Sequence, residues 1–126
     1  MKTRLQIISV IFMIVFIPSC KKNQAGGEST VAAITRHHDR VIPFSTVYIK
    51  YGAKEFPGED VSKYDASQQT DAEGHTHFEG LRYGNYYFYG VGYDSLAQAV
   101  VKGGVSLKIK WKERKEEIEL TVPVTE

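Results

Sequence analysis

Short runs of alternating hydrophobic and polar residues follow one another along most of the chain, and clusters of Gly, Pro, Asn and Asp separate them. The clearest run is 116–124, in which Ile118, Leu120, Val122 and Val124 alternate with mostly polar residues. A period of two is typical of a strand with one buried face. Several such runs between turn residues favour a sandwich or a barrel, and no convincing helical pattern follows the first twenty residues. The pattern therefore predicts one all-β domain.

About seven strands are expected, in an antiparallel β-sandwich. Eight runs are candidates for these strands: 31–37, 44–51, 67–70, 75–79, 85–93, 96–101, 105–111 and 116–124, with a break at 102–104 between the sixth and the seventh run. The stretch 52–66 shows no periodicity and contains Pro57 and Gly58, so it is expected to form a long surface loop. Asp71–Gly74 is expected to form a tight turn, in which the glycine adopts a positive φ.

The first nineteen residues form a segment of a different kind. Lys2 and Arg4 precede the apolar stretch 5–17, which is shorter than the roughly 20 residues that a membrane-spanning helix needs. The stretch is typical of a secretory signal peptide. Ile17–Cys20 follows, with an aliphatic residue three positions before the cysteine and a small residue directly before it. This resembles the lipobox of bacterial lipoproteins.

The lipobox resemblance implies cleavage before Cys20 and attachment of lipid to that residue. Because Cys20 is the only cysteine, no intramolecular disulfide can form. The implied organisation is a signal peptide over 1–19, a lipidated cysteine and flexible tether over 20–30, and a domain over 31–126. The alternative is an ordinary secretory signal with an incidental cysteine. Lys-Lys after Cys20, in place of an acidic residue, resembles signals that sort lipoproteins to the outer membrane, so the expected location is the bacterial cell envelope.

The charge of the chain gives no indication of a nucleic-acid partner. The formal net charge is +1, and removal of 1–19 takes away Lys2 and Arg4 and no acidic residue, which turns it to −1. A nucleic-acid-binding domain normally carries a basic excess on one face. The expected partners are therefore the membrane, through the lipid, and proteins or glycans of the envelope.

One segment of the chain resembles a known family. Its residues follow the order T-D-x-x-G-x-x-x-F-x-x-L-x-x-G-x-Y that is found in carboxypeptidase regulatory-like domains, and Ile42–Val47 resembles the strand entry of that family. The matching residues are Thr70, Asp71, Gly74, Phe78, Leu81, Gly84, Tyr86 and Phe88. The resemblance implies a single transthyretin-like (prealbumin-like) β-sandwich that serves as a non-catalytic accessory module in envelope proteins. The His-x-x-Glu zinc motif of the peptidases is absent.

His75 and His77 are the residues that most suggest a metal site. Two residues apart on a strand, they point to the same face and could share a metal ion. If Thr76 and Phe78 face the core, however, both imidazoles face solvent, and one of His37 or His38 would have to join them. Surface histidines without metal are the favoured interpretation, and no cofactor is expected.

Tyr87 and Tyr89 form a second candidate surface. If Tyr86 and Phe88 point into the core, these two tyrosines share the outer face, where aromatic rings can stack on sugars or form an interface. The alternative is cross-strand packing beneath the long loop. The acidic turn residues are interpreted as solvated carboxylates rather than calcium ligands: Glu59, Asp60, Asp65, Asp71, Glu73 and Asp94. No nucleophile or phosphate-loop motif is present, so no enzymatic activity is expected.

Overall fold

A computed structural model of the chain describes residues 25–126, which form an all-β sandwich of two sheets. The strands are β1 (Ala25–His37), β2 (Arg40–Val41), β3 (Thr46–Tyr51), β4 (Ala66–Gln69), β5 (His75–Leu81), β6 (Gly84–Asp94), β7 (Ala99–Ile109) and β8 (Glu117–Pro123). The helical segments in the described range are two single 3-10 turns, Val61–Lys63 and Trp111–Glu113. In that range no helix has the length and hydropathy of a membrane span. The predicted signal peptide and Cys20 lie outside the described residues.

The first sheet is built around β1, which pairs antiparallel with β5 and β2 and parallel with β8. Val31 lies opposite Phe78 on one side and Ile118 on the other. The parallel pairing departs from the expected antiparallel arrangement. It arises because β8 begins at the same end of the sandwich as β1, after the chain has crossed from the second sheet.

The second sheet has the order β4-β3-β6-β7 and is antiparallel throughout. Tyr89 lies opposite Tyr48 on β3 and opposite Gly104 on β7. The 14-residue connection from β3 to β4, 52–65, is the long loop that the sequence predicts, and it folds over the outer face of this sheet.

Several predicted strand boundaries are wrong. The predicted strand 96–101 lies partly in the turn 95–98 and otherwise belongs to β7, the strand predicted over 44–51 begins at Thr46, and β2 is not among the predicted strands. The first strand begins at Ala25 rather than Val31, and it reaches Leu81 through a bulge that Gly27 permits, because a Cβ on Gly27 would lie 2.2 Å from the Leu81 carbonyl oxygen. The predicted break at 102–104 is instead the middle of β7. A Cβ on Gly103 would lie 2.5 Å from the Pro123 carbonyl oxygen, so glycine is needed here for close backbone approach inside a strand.

The core lies between the sheets and draws on both. Phe78 of the first sheet meets Phe88 of the second edge to face, with ring centroids 5.4 Å apart. Tyr86 is fully buried as well, and its hydroxyl donates to the Arg82 carbonyl oxygen at 2.6 Å. The fully or nearly buried hydrophobic residues of this cluster are Val31, Ala33, Val47, Ile49, Phe78, Leu81, Tyr86, Phe88, Ile109 and Val122.

The other residues of the family-like segment lie in the turn before β5 and at the start of β6. The Asp71 Oδ1 atom accepts the backbone N–H groups of Glu73 and His75 at 2.8 and 3.0 Å, and Gly74 has a φ of 76°. Thr70 is buried, and its hydroxyl accepts the Ser45 N–H at 2.8 Å. Gly84 begins β6 with a φ of 141°.

The two ends of the sandwich carry different segments. We call the end where β1 starts the tether end; it comprises 25–28, 82–83 and 110–116, and its parts are joined by hydrogen bonds such as that from the Ser29 hydroxyl to the Glu113 carbonyl oxygen at 2.7 Å. We call the opposite end the distal end; it comprises the turns 38–39, 71–74 and 95–98 with the residues beside them.

Candidate binding surfaces

A buried ionic network at the distal end joins the two sheets. Asp94, at the end of β6, is 3% exposed, and its Oδ2 atom accepts from His37 Nδ1 at 2.7 Å and from Arg40 Nη2 at 2.5 Å. Its Oδ1 atom accepts the backbone N–H groups of Leu96 and Ala97 at 3.0 and 3.1 Å. The hydrogen bond from His37, followed by that from Arg40, holds the pKa of the Asp94 carboxyl well below its usual range.

Sequence reasoning missed this network. Asp94 is expected to be a solvated turn carboxylate and His37 a surface histidine, whereas both are buried. The two residues are 57 positions apart and belong to different sheets, so no local pattern links them. The one available signal is parity, since His37 continues the inward series of Val31, Ala33 and Thr35.

The histidine pair that suggested a metal site lies elsewhere. His75 and His77 are exposed on the outer face of the first sheet, because Thr76 and Phe78 between and after them are buried. His37 is turned inward onto Asp94 and does not join them. Within residues 25–126 no group of three or more His, Cys, Asp or Glu side chains is placed to hold a metal ion.

Exposed hydrophobic side chains are concentrated at the distal end. Of the eight large ones in residues 25–126, five lie there: Val41, Phe44, Tyr93, Leu96 and Val100. Leu96 is 76% exposed in the β6–β7 turn, and Tyr93 and Val100 are a cross-strand pair beside it. The Phe44 N–H donates to the Asp71 carbonyl oxygen at 3.1 Å, which holds this exposed ring at the same end.

The outer face of the second sheet is aromatic but largely covered. Tyr48, Tyr87 and Tyr89 share this face, as the alternation of β6 predicts. Tyr64 of the long loop stacks on Tyr89 at 5.7 Å, and Phe56 lies 5.3 Å from Tyr89 and 5.7 Å from Tyr87. Tyr89 is consequently only 3% exposed, whereas Tyr87 is half-buried and Phe56 is 50% exposed.

Polar contacts also order the loop, one within the loop itself and one to the sheet. The Tyr64 hydroxyl donates to the Gly58 carbonyl oxygen at 2.9 Å, and Glu59 forms an ion pair with Lys102 of β7 at 2.9 Å. Burial, with smaller contributions from Tyr87 and Tyr89, raises the pKa of Tyr64 to about 12. The packing interpretation of the tyrosine row therefore describes Tyr89, and the accessible rings of this aromatic cluster are those of Phe56 and Tyr87.

The tether end holds a third surface, which sequence reasoning also missed. Trp111 is 60% exposed in the turn between β7 and β8, edge-on to Tyr83 at 4.9 Å, and the Arg114 guanidinium lies 4.1 Å from the centre of its ring. A shallow cleft of about 250 Å³ adjoins it. The cleft is lined by Gly26, Gly27, Glu28, Arg82, Tyr83, Trp111, Arg114 and Lys115. The available signal was a lone tryptophan beside a charged turn.

Comparisons with known proteins support the fold alone. No protein-family model and no curated protein matches the chain. Among solved structures, the chain is similar to the crystal structure of a candidate carbohydrate binding protein from Pseudomonas aeruginosa, with a TM-score of 0.50 and 12% sequence identity. The match covers 79% of this chain and 91% of the other. At that identity the likeness describes the β-sandwich and not its ligand.

Proposed function

We propose that this chain is a lipid-anchored protein of the bacterial cell envelope, held at the outer membrane, whose β-sandwich is a non-catalytic module that binds another envelope protein through its distal end. The observation that carries the proposal is the concentration of exposed hydrophobic side chains there, five of the eight in residues 25–126. Exposed large hydrophobic side chains that gather at one end of a small domain are typical of protein interfaces. The lipobox resemblance of Ile17–Cys20 supports the anchor, and the carboxypeptidase regulatory-like motif supports an accessory role.

The direction of the anchor supports the choice of the distal end. Only five residue steps separate Cys20 from Ala25 at the start of β1, which is at most about 18 Å of fully extended chain. A lipid on Cys20 therefore keeps the tether end near the membrane surface. The distal end lies at the far side of the sandwich, where a partner can reach it.

The ionic network supports the proposal because it orders the distal surface. The Leu96 N–H donates to Asp94, so the turn that displays this side chain is fixed to both sheets. A surface that is already ordered loses little conformational entropy on binding. Leu96, the most exposed of these side chains, therefore lies in a turn that binding does not have to order.

The proposal can be tested by site-specific photo-crosslinking in intact cells. A photoreactive amino acid replaces Leu96 in the full-length protein, and a matched control places it at Glu119, an exposed position on the outer face of the first sheet. We expect a discrete adduct from position 96 and none from position 119, with the partner identified by mass spectrometry. Absence of an adduct at position 96, or equal labelling at both positions, would overturn the distal interface. Mass spectrometry of the Cys20 peptide tests the anchor separately.

A second candidate function is carbohydrate binding at the outer face of the second sheet. Two observations favour it: the exposed Phe56 ring adjoins Tyr87, and the similar structure from Pseudomonas aeruginosa is that of a candidate carbohydrate binding protein. Aromatic faces of this kind stack on sugar rings. Tyr87→Ala and Phe56→Ala should then abolish binding to a glycan array while the unfolding transition is retained. Tyr89→Ala is the comparison that alters packing, since Tyr89 is covered.

A further inference from the structure

We infer that the tether end is a second membrane contact, in which Trp111 and the basic side chains around it rest on the anionic phospholipid headgroups of the bilayer that holds Cys20. The inference rests on the lipid anchor of the proposed function. It assigns a role to the Trp111 surface, which neither the distal interface nor the aromatic face of the second sheet uses.

Several contacts hold the turn that displays the Trp111 ring. Its 3-10 turn is closed by the Glu113 side chain, which accepts the Lys110 N–H at 3.1 Å, and the Ser29 hydroxyl binds the Glu113 carbonyl oxygen at 2.7 Å. Arg114 lies over the indole and also donates to the Trp111 carbonyl oxygen at 3.0 Å. The indole ring is 60% exposed, and turning it into the interior would break these contacts.

The position of the cleft in the chain brings it to the membrane. Gly26 and Gly27 line the cleft beside Trp111, and Gly26 is six residue steps from Cys20. Six steps span at most about 22 Å of extended chain. A domain anchored at Cys20 must therefore hold its tryptophan close to the headgroup region, where the amphipathic indole ring is favoured.

The charge of the tether end suits anionic headgroups. Between 108 and 117 the basic residues outnumber the acidic ones by five to three: Lys108, Lys110, Lys112, Arg114 and Lys115 against Glu113, Glu116 and Glu117. At the cleft Arg82 adds a cation and Glu28 an anion, which pairs with Lys115 at 3.7 Å, and Lys21 and Lys22 follow the anchor. The distal turns 38–39, 71–74 and 95–98 carry Asp39, Asp71 and Glu73 and neither lysine nor arginine, and Arg40 beside them is paired with Asp94. Clusters of basic residues next to a membrane anchor are attracted to anionic lipid.

The composition of the chain makes the inference directly measurable. Trp111 is the only tryptophan, so the fluorescence of the protein reports on this one site. Cys20 is the only cysteine, so it is the single thiol available for attachment of a lipid. Protein extracted from the membranes of expressing cells is reconstituted in phosphatidylethanolamine–phosphatidylglycerol vesicles, some of which contain lipids brominated in the acyl chains. We expect the Trp111 emission to shift to the blue and to lose most of its intensity with brominated lipid. In vesicles of phosphatidylcholine, or in high salt, the loss should be much smaller.

Two variants provide the controls. The double substitution Lys112→Gln with Lys115→Gln removes two positive charges and leaves the contacts of Arg114 with Trp111 in place, so it should weaken the quenching while the circular dichroism spectrum is unchanged. The pair Trp111→Phe with Leu96→Trp moves the reporter to the distal end, where brominated lipid should have no effect. Unchanged Trp111 emission on anionic vesicles, or equal quenching of both reporters, would overturn the inference. So would a change of Trp111 emission that soluble oligosaccharide produces without vesicles, which would indicate a sugar site.

The same experiment separates a failed anchor from a failed surface. If the Cys20 peptide carries no lipid, the proposed anchor is wrong, and the protein is then coupled to a maleimide lipid through the Cys20 thiol. Quenching of the coupled protein would support the tether-end surface without the natural anchor. Its absence in a protein that is properly attached would overturn the surface alone.

Discussion

His37 Nδ1 lies 2.7 Å from Oδ2 of Asp94, and this contact joins the end of β1 in the first sheet to the end of β6 in the second. Because a carboxylate only accepts hydrogen bonds, the imidazole must carry a hydrogen on Nδ1. The same carboxylate group also accepts hydrogen bonds from Arg40 and from two backbone N–H groups. The distal end thus contains a charged group that is fully paired, beside the small buried cluster of Ile42, Val101 and Val124.

The first prediction concerns acid sensitivity. Because the pKa of Asp94 is lowered in the folded protein, its ionised form stabilises the fold at pH values above about 4, the usual pKa of an aspartate, and this contribution is lost as the pH falls below that value. Asp94→Asn should lower the urea midpoint at neutral pH. The difference from the natural protein should shrink progressively in acid.

The control for the acid prediction is Asp39→Asn, which removes one negative charge from an exposed position at the same end. It should leave the urea midpoint nearly unchanged at neutral pH. Parallel stability curves for the natural protein and Asp94→Asn across the acid range would contradict the prediction.

The second prediction compares Phe88, which points into the core, with Phe56 of the long loop, which lies on the outer face of the second sheet. Phe88 is fully buried, so Phe88→Ala should lower the free energy of unfolding by about 3–5 kcal/mol, through lost burial and the cavity that remains. Phe56 is half exposed, and Phe56→Ala should cost less than about 1 kcal/mol. Chemical denaturation measures the free energy of unfolding of both variants. Equal losses would be inconsistent with a buried Phe88 and an exposed Phe56.

The third prediction concerns the glycine pair inside β7. A Cβ on Gly104 would lie 2.4 Å from the Phe88 carbonyl oxygen and 2.6 Å from a Tyr87 ring carbon. Gly104→Ala should therefore destabilise the protein by about 1–3 kcal/mol, because backbone and ring must both move. Ser106→Ala, at an exposed position in the same strand, is the matched control and should be nearly neutral. A neutral Gly104→Ala would indicate that β7 is interrupted there.

The fourth prediction concerns Tyr64 in alkaline solution. Burial raises its pKa to about 12, so the folded state resists ionisation and loses stability as the pH rises from about 10, the usual pKa of a tyrosine, towards 12. Tyr64→Phe cannot ionise and should lose less stability over this interval. It also removes the hydrogen bond to the Gly58 carbonyl oxygen, at a cost of about 0.5–1.5 kcal/mol at neutral pH.

A protease-sensitivity assay complements the alkaline titration. The long loop is fastened through Tyr64 and through the ion pair of Glu59 with Lys102, so Tyr64→Phe should accelerate cleavage within 52–65. Glu55→Ala changes an exposed side chain of the same loop and is the reference variant. Identical cleavage rates for both would show that the Tyr64 hydroxyl does not hold the loop.

The sequence by itself determined the class of fold and most of the strands. Alternation within a strand is a local property, so it correctly predicts that Phe78, Tyr86 and Phe88 face inward and that Tyr87 and Tyr89 face outward. The Asp71–Gly74 turn was predictable for the same reason, since its hydrogen bonds span at most four residues. The lipid anchor and the carboxypeptidase regulatory-like relationship remain predictions of the sequence.

Only the tertiary structure decided which residues meet. The pairing of β8 with β1, the burial of Asp94 against His37, and the placement of Trp111 beside Tyr83 and Gly26 each join segments that are distant in the chain. Such contacts depend on how two sheets pack face to face, and a period of two contains no information about that choice. The wrong prediction of a break at 102–104 has the same cause. In the sequence the two glycines of β7 resemble a turn, and only the fold shows that a neighbouring backbone lies too close for a side chain.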